Sequence, residues 1–227
     1  MKIINLIKWD MNLQARSGIY FLYFIMTCVY LMIISALPHS IREIGTALII
    51  YSDPAALGLF FMGAIILLEK SQRVVNAFNI SPVKPCEYVI SKVLSLSIVS
   101  TIVAAILAAA SDFSSILRVV MGVIPGSVIF TLVGIIMASM AKGLNNFVFL
   151  TIPCEIILFI PAAALLIWPS SVYLRYYPMN MVFQLLTGRS ENLIITIPVL
   201  VILILILFQL ALKSTVKMWH SLGGGIL

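Results

Sequence analysis

An all-α integral membrane protein is the fold class that this sequence predicts, and three observations predict it. The 227-residue chain is 62% hydrophobic. Only 10% of it is charged, where a water-soluble domain has about a quarter. Its apolar residues fall into runs of about twenty, the length that a helix rising about 1.5 Å per residue needs to cross about 30 Å of hydrocarbon. Six runs read as spans: Gly18–Leu37, Ile44–Leu68, Tyr88–Ala110, Val119–Met140, Phe147–Trp168 and Leu193–Leu212. No repeat, low-complexity tract or separate water-soluble segment interrupts them, so residues 1–227 read as one transmembrane domain.

Ahead of the first span, KIINLIKWDMNLQARS sets Ile3, Ile7 and Met11 at four-residue spacing, with Asn5, Lys8, Asp10 and Asn12 elsewhere. That pattern predicts a helix lying along the inner membrane interface. Gly18–Leu37 is longer than an ordinary signal-peptide core, follows a mixed segment and precedes no A-x-A-like site, so it reads as a retained span. Six spans place both termini on one side, and loop charge chooses the side. Ten basic residues (Lys2, Lys8, Arg16, Lys70, Arg73, Lys84, Lys92, Lys142, Lys213 and Lys217) fall on the side of the termini, against four (Arg42, Arg118, Arg175 and Arg189) on the other. The excess predicts cytoplasmic termini. Trp9, Tyr20, Tyr88 and Trp219 are then expected near the inner interface, and Tyr51, Trp168, Tyr173 and Tyr176 near the outer one.

The second span is expected to be broken. Ser52-Asp53-Pro54 sets a capping residue before a proline suited to the first helical position. The stretch from Pro54 to Leu68 is, at roughly 22 Å, too short to cross by itself. Asp53 reads either as a helix cap or as a point on a substrate path. In the third and fourth spans, Ala104, Ala105, Ala108 and Ala109, and the G-x-x-x-G of Gly122 to Gly126, mark close helix approach, within one bundle or between two copies. The fifth span holds Glu155, about 12 Å from its inner end and so near the midplane. A carboxylate there is costly unless paired, wetted or protonated. Two readings stay open for it: a polar point on a substrate path, or a buried partner for a neighbouring helix. Pro153 and Pro161 each free a backbone carbonyl, which favours a cavity-lining stretch. Between the last two spans, PSSVYLRYYPMNMVFQLLTGRSEN is too apolar for a solvated loop. It reads as short helices, opened at Pro178 and closed at Gly188, that dip into the outer leaflet or lie on it.

Enzyme chemistry finds no foothold. There is no G-x-x-x-x-G-K-[ST], no H-E-x-x-H and no G-x-S-x-G, and no span holds two carboxylates. Cys28, Cys86 and Cys154 have no metal-binding spacing, and the two histidines, His39 and His220, lie outside the apolar runs. No resident metal or cofactor is expected, and no nucleic-acid partner.

The longest polar stretch, EKSQRVVNAFNISPVKPCEYVISK (Glu69–Lys92), joins the second and third spans. Helical spacing puts Ser71, Val74, Val75 and Phe78 on one side, and Pro82 stops the helix near Asn79. A helix this short needs packing to hold it, from lipid headgroups or from a groove on another protein.

Glu69-Lys70, this short helix, Ile80-Ser81-Pro82-Val83 and Lys92 resemble the loop after the second span in permease subunits of the type-2 ABC exporter family. The six spans, the interfacial helix and the segment re-entering before the last span resemble that family too, most closely its small bacterial drug (fluoroquinolone-type) export permeases. The resemblance implies that the loop is a coupling helix seated in a cytoplasmic P-loop ATPase. It assigns Glu69, Lys70, Arg73, Val74, Phe78, Ser81 and Pro82 to that contact. Arg73 and Val74 depart from the family pattern, which often has a glycine and a small hydroxyl residue there. The resemblance further implies a homodimer with the first and fifth spans at its seam, Glu155 near the central substrate path, ATP and Mg bound by the ATPase alone, and a location in a bacterial cell membrane. The alternative is an immunity or assembly protein that sequesters a toxic compound in the membrane without ATP.

Overall fold

The computed structural model describes residues 2–52, 56–111, 116–189 and 192–222. Helix α1 (Lys2–Arg16) precedes α2 (Ile19–Ala36), the first span. The second span is built from α3 (His39–Ser52) and α4 (Leu57–Ser71). Asp53 and Pro54, on which the capping and path readings rested, lie outside the described residues. Helix α5 (Val74–Ile80) leads to α6 (Pro85–Ala109), α7 (Ile116–Met140) and α8 (Leu144–Ile167), the third to fifth spans. Short α9 (Val172–Arg175) and α10 (Pro178–Thr187) precede the last span, α11 (Leu193–Leu222). Six helical stretches are long and apolar enough to cross a membrane. Helix α11 runs well past the expected end at Leu212, through Lys213 and Lys217 to the described limit. Those long side chains can keep their charged heads in water while their stems stay against the bundle.

Helix α7 is the hub, contacting α4, α6, α10 and α11. Its neighbours come close because glycine leaves them room. A Cβ on Gly134 would lie 2.6 Å from the Leu59 carbonyl oxygen of α4, a distance backbone cannot yield. A Cβ on Gly122 would lie 2.6 Å from Leu186 of α10. The first glycine of the G-x-x-x-G thus serves a contact inside one chain. By contrast α2, α8 and α11 bury few side chains. They expose Phe21, Phe24, Phe149, Ile156, Ile202 and Leu205, as lipid-facing or partner-facing surfaces do.

The segment before the last span forms two short helices that pack against the bundle. Pro178 occupies the first turn of α10 and Gly188 ends it at a φ of 66°. Between them Met179, Met181, Val182, Phe183 and Leu186 are buried. Asn180 Nδ2 donates to the carbonyls of Pro161 (2.9 Å) and Leu174 (2.7 Å), which pins α10 to α8 and α9. Tyr51, expected near the outer interface, is buried among the helices. Its hydroxyl donates to the Leu158 carbonyl (2.7 Å), and its ring meets Phe130, Phe159 and Phe183 edge-on.

Candidate functional site

One end of the bundle gathers α1, α5, the last turns of α4, α7 and α11, and the first turns of α6 and α8. It carries the exposed lysines Lys8, Lys84, Lys142, Lys213 and Lys217, and is called the basic end below.

The connector between the second and third spans is built tightly. After α4, the chain turns on Arg73, whose φ of 56° is unusual for a residue with a side chain. Helix α5 spans seven residues and cannot hold its shape alone. Aromatic packing holds it. Phe78 stacks on Trp219 of α11 at 5.9 Å, and meets Tyr88 at 5.2 Å and Trp9 at 5.8 Å. Val75, beside it, is buried. Beyond α5, Ser81 Oγ donates to the Phe78 carbonyl (2.9 Å) and accepts from the Val83 amide. Glu87 accepts the Lys84 amide (2.9 Å) and so caps the start of α6.

Beneath the connector lies a buried ionic cluster. The ammonium of Lys92 donates to Glu69 Oε1 at 2.6 Å and to Asp10 Oδ1 at 3.0 Å. All three residues are almost wholly buried, with Lys92 and Glu69 each 1% exposed. The second oxygen of each carboxylate has its own donor: the Tyr88 hydroxyl on Glu69 (2.6 Å) and the Ser91 hydroxyl on Asp10 (2.7 Å). Lys92 also lies 4.6 Å from the centre of the Tyr88 ring, within cation–π range. One turn on, Gln14 Nε2 donates to Ser95 Oγ (2.9 Å), extending the seam between α1 and α6. Breaking a buried ion pair of this kind is strongly destabilising, because the charge left behind is neither solvated nor paired. The cluster therefore joins α1, α4 and α6 where α5 hangs between the last two. It leaves no group open to a ligand, and no three His, Cys, Asp or Glu residues among those described could together hold a metal ion.

Lys70 faces elsewhere. Its ammonium donates to the carbonyls of Ala138 (2.7 Å), Ser139 (2.9 Å) and Ala141 (2.9 Å). It thus caps the C-terminal end of α7, where carbonyls lack helical partners and the helix dipole favours a cation.

The residues assigned to an ATPase contact are therefore placed differently from one another. Glu69, Lys70 and Phe78 turn inward and are engaged within the chain. Val74 and Ser81 are half-buried, while Arg73 and Pro82 are exposed. The outward face of the connector consists of Gln72, Arg73, Asn76, Ala77, Pro82 and Lys84. Phe78 turns inward because a large ring gains more from Trp219, Tyr88 and Trp9 than from water. Sequence reading missed Asp10, Gln14, Tyr88 and Ser91 as parts of this site. Asp10 appeared to belong to the polar face of α1, yet it is part of the face turned to α6. A signal was present: Lys92 lies eight positions into an otherwise uncharged helical stretch after Pro85, apart from Glu87. A charge placed so needs a counter-charge from elsewhere.

Glu155 is not brought to this cluster. It sits half-buried on α8 between the exposed Ile152 and Ile156, with no hydrogen bond or ion pair among the described residues. The carbonyl that Pro161 leaves free, that of Ile157, accepts the Tyr177 hydroxyl at 2.9 Å rather than lining open space. Burial pushes that hydroxyl above its ordinary pKa.

Residues 1–217 match the fluoroquinolones export permease protein family. The fluoroquinolones export permease proteins of two strains of Mycobacterium tuberculosis are each 25% identical to the chain over 175 residues, which is 75% of this chain and 74% of theirs. No solved structure matches the chain.

Proposed function

The chain belongs to the fluoroquinolones export permease protein family, and from that premise we propose that this membrane export permease is the transmembrane subunit of an ATP-driven ABC exporter. It moves an amphipathic substrate (a drug, an antimicrobial peptide or a lipid) out of a bacterial cell. The chain is not itself an enzyme. ATP and Mg bind a separate P-loop ATPase, which docks on the exposed side of the connector at Gln72, Arg73, Asn76 and Ala77. The basic end, with both termini, faces the cytoplasm.

One observation carries this reading: α5, held at both ends, is tied through the Asp10–Lys92–Glu69 cluster to the feet of two spans and to α1. A force applied to the connector then cannot be absorbed by it, and moves α4 and α6 instead. Glu69 and Phe78 act as the internal anchors of this lever and Arg73 lies on its outer surface. A second copy of the chain covers α2 and α8, the least buried spans together with α11. That arrangement places the unpartnered Glu155 between copies, where water or substrate can reach it.

The test is purification in mild detergent from the native membrane, with identification of what accompanies the chain. A stoichiometric P-loop ATPase is expected, and Ala77→Glu, on the exposed face of α5, should lose it while the permease remains folded in the membrane. A partner-free permease that still protects its host when ATP hydrolysis is blocked would overturn the proposal in favour of ATP-independent sequestration.

A further inference from the structure

A groove of about 940 Å³ opens at the basic end between the last turns of α4, α7 and α11 and the start of α8. Its upper wall is apolar, formed by Leu67, Met140, Leu144 and Met218, and its rim is basic, with Lys142 and Lys217. No acidic residue among those described lines it. We propose that this groove is a binding site for the headgroup of an anionic phospholipid.

Three features of the site converge on that ligand. Lys142 and Lys217 are both exposed and have no acidic partner among the described residues, so their charge is available to a phosphate. The first turn of α8 also enters the groove at Gly143 and Leu144, and its cap residue offers no side-chain hydrogen bond. Its free amides and the positive end of its dipole therefore remain for an anion. Finally, the groove leads onto the exposed Val148 and Phe149, one turn further along α8. Acyl chains can follow that apolar wall while the headgroup stays at the lysines, at the depth where the spans end. Lys70 forms part of the same groove, but its ammonium is committed to the end of α7 and shapes the site rather than binding in it. A water-soluble anion has no use for the apolar wall, and an acidic protein segment would leave the exposed flank of α8 uncovered.

The experiment is native mass spectrometry of the purified chain with phosphatidylglycerol or phosphatidylcholine as the added lipid. The chain should keep a phosphatidylglycerol adduct under activation that strips phosphatidylcholine. Lys142→Gln with Lys217→Gln should lower its occupancy by at least about tenfold. Lys8→Gln with Lys84→Gln, which removes the same charge from the same end outside the groove, should leave it unchanged. Both pairs are exposed, so the fold is not at stake. Equal retention of the two lipids, or equal loss in the two double variants, would overturn the assignment. An adduct displaced by inorganic phosphate alone would mark a plain phosphate site and overturn it too. If the groove variant keeps the lipid but loses a copurifying ATPase, the groove is a protein interface and the proposal fails.

Discussion

Replacing Lys92 by methionine keeps most of the side-chain volume and removes only the charge. Asp10 and Glu69 then stay buried, each with one neutral donor, after being held within 3.0 Å of a shared nitrogen. Two carboxylates about 5 Å apart repel by about 3 kcal/mol at an effective dielectric of about 20. Loss of one partner of a buried pair costs about 3–5 kcal/mol by analogy with measured cases. For a chain of this size that is a fall of roughly 6–20 °C in the thermal midpoint. The assay is fluorescence-detected size exclusion after stepwise heating in detergent, at one heating rate for every variant because such unfolding is seldom reversible. Glu69→Gln should cost less than Lys92→Met, because it leaves Lys92 paired with Asp10. Combining Asp10→Asn, Glu69→Gln and Lys92→Met should recover much of the loss, since no charge remains buried. A Lys92→Met midpoint within about 2 °C of the parent, or a triple variant worse than the single one, would refute the assignment of Lys92 as a buried counter-ion.

Four further outcomes follow from the same geometry. Lys70→Met uncovers three carbonyls at the end of α7 and should cost about 1.5–3 kcal/mol, read in the same heating assay. Gly134→Ala places a methyl against the Leu59 backbone and should lower folded yield and midpoint, by about 1–3 kcal/mol or more. Gly143→Ala, with nothing within 4 Å of its Cβ, should leave both unchanged. Glu155→Gln should lower export by reconstituted vesicles more than it lowers folded yield, because Glu155 makes no hydrogen bond or ion pair among the described residues. Equal falls in both would make the residue structural.

The spans, the helix ahead of the first and the helix between Pro178 and Gly188 were legible in the sequence. Each follows from local causes: a run long enough to cross lipid, a residue that cannot donate an amide, a residue that accepts positive φ. The direction faced by each side chain of α5 was less legible. A seven-residue helix has too few turns for its own pattern to decide, and Phe78 has apolar company on one side only once Trp219 arrives from 141 residues further along the chain.

By itself, then, the sequence determined that this is a six-span helical membrane protein with a short connector between its second and third spans. Those properties depend on apolar length and backbone chemistry, which each segment carries with it. Only the tertiary structure decided that Asp10, Glu69 and Lys92, up to 82 residues apart, meet in one buried cluster. It alone turned Lys70 to the end of α7, and set the exposed Lys142 and Lys217 around a groove. The physical reason is the same in each case. A charge taken out of water must find its partner in space, and the sequence places a residue along the chain without saying which helix will come to lie beside it.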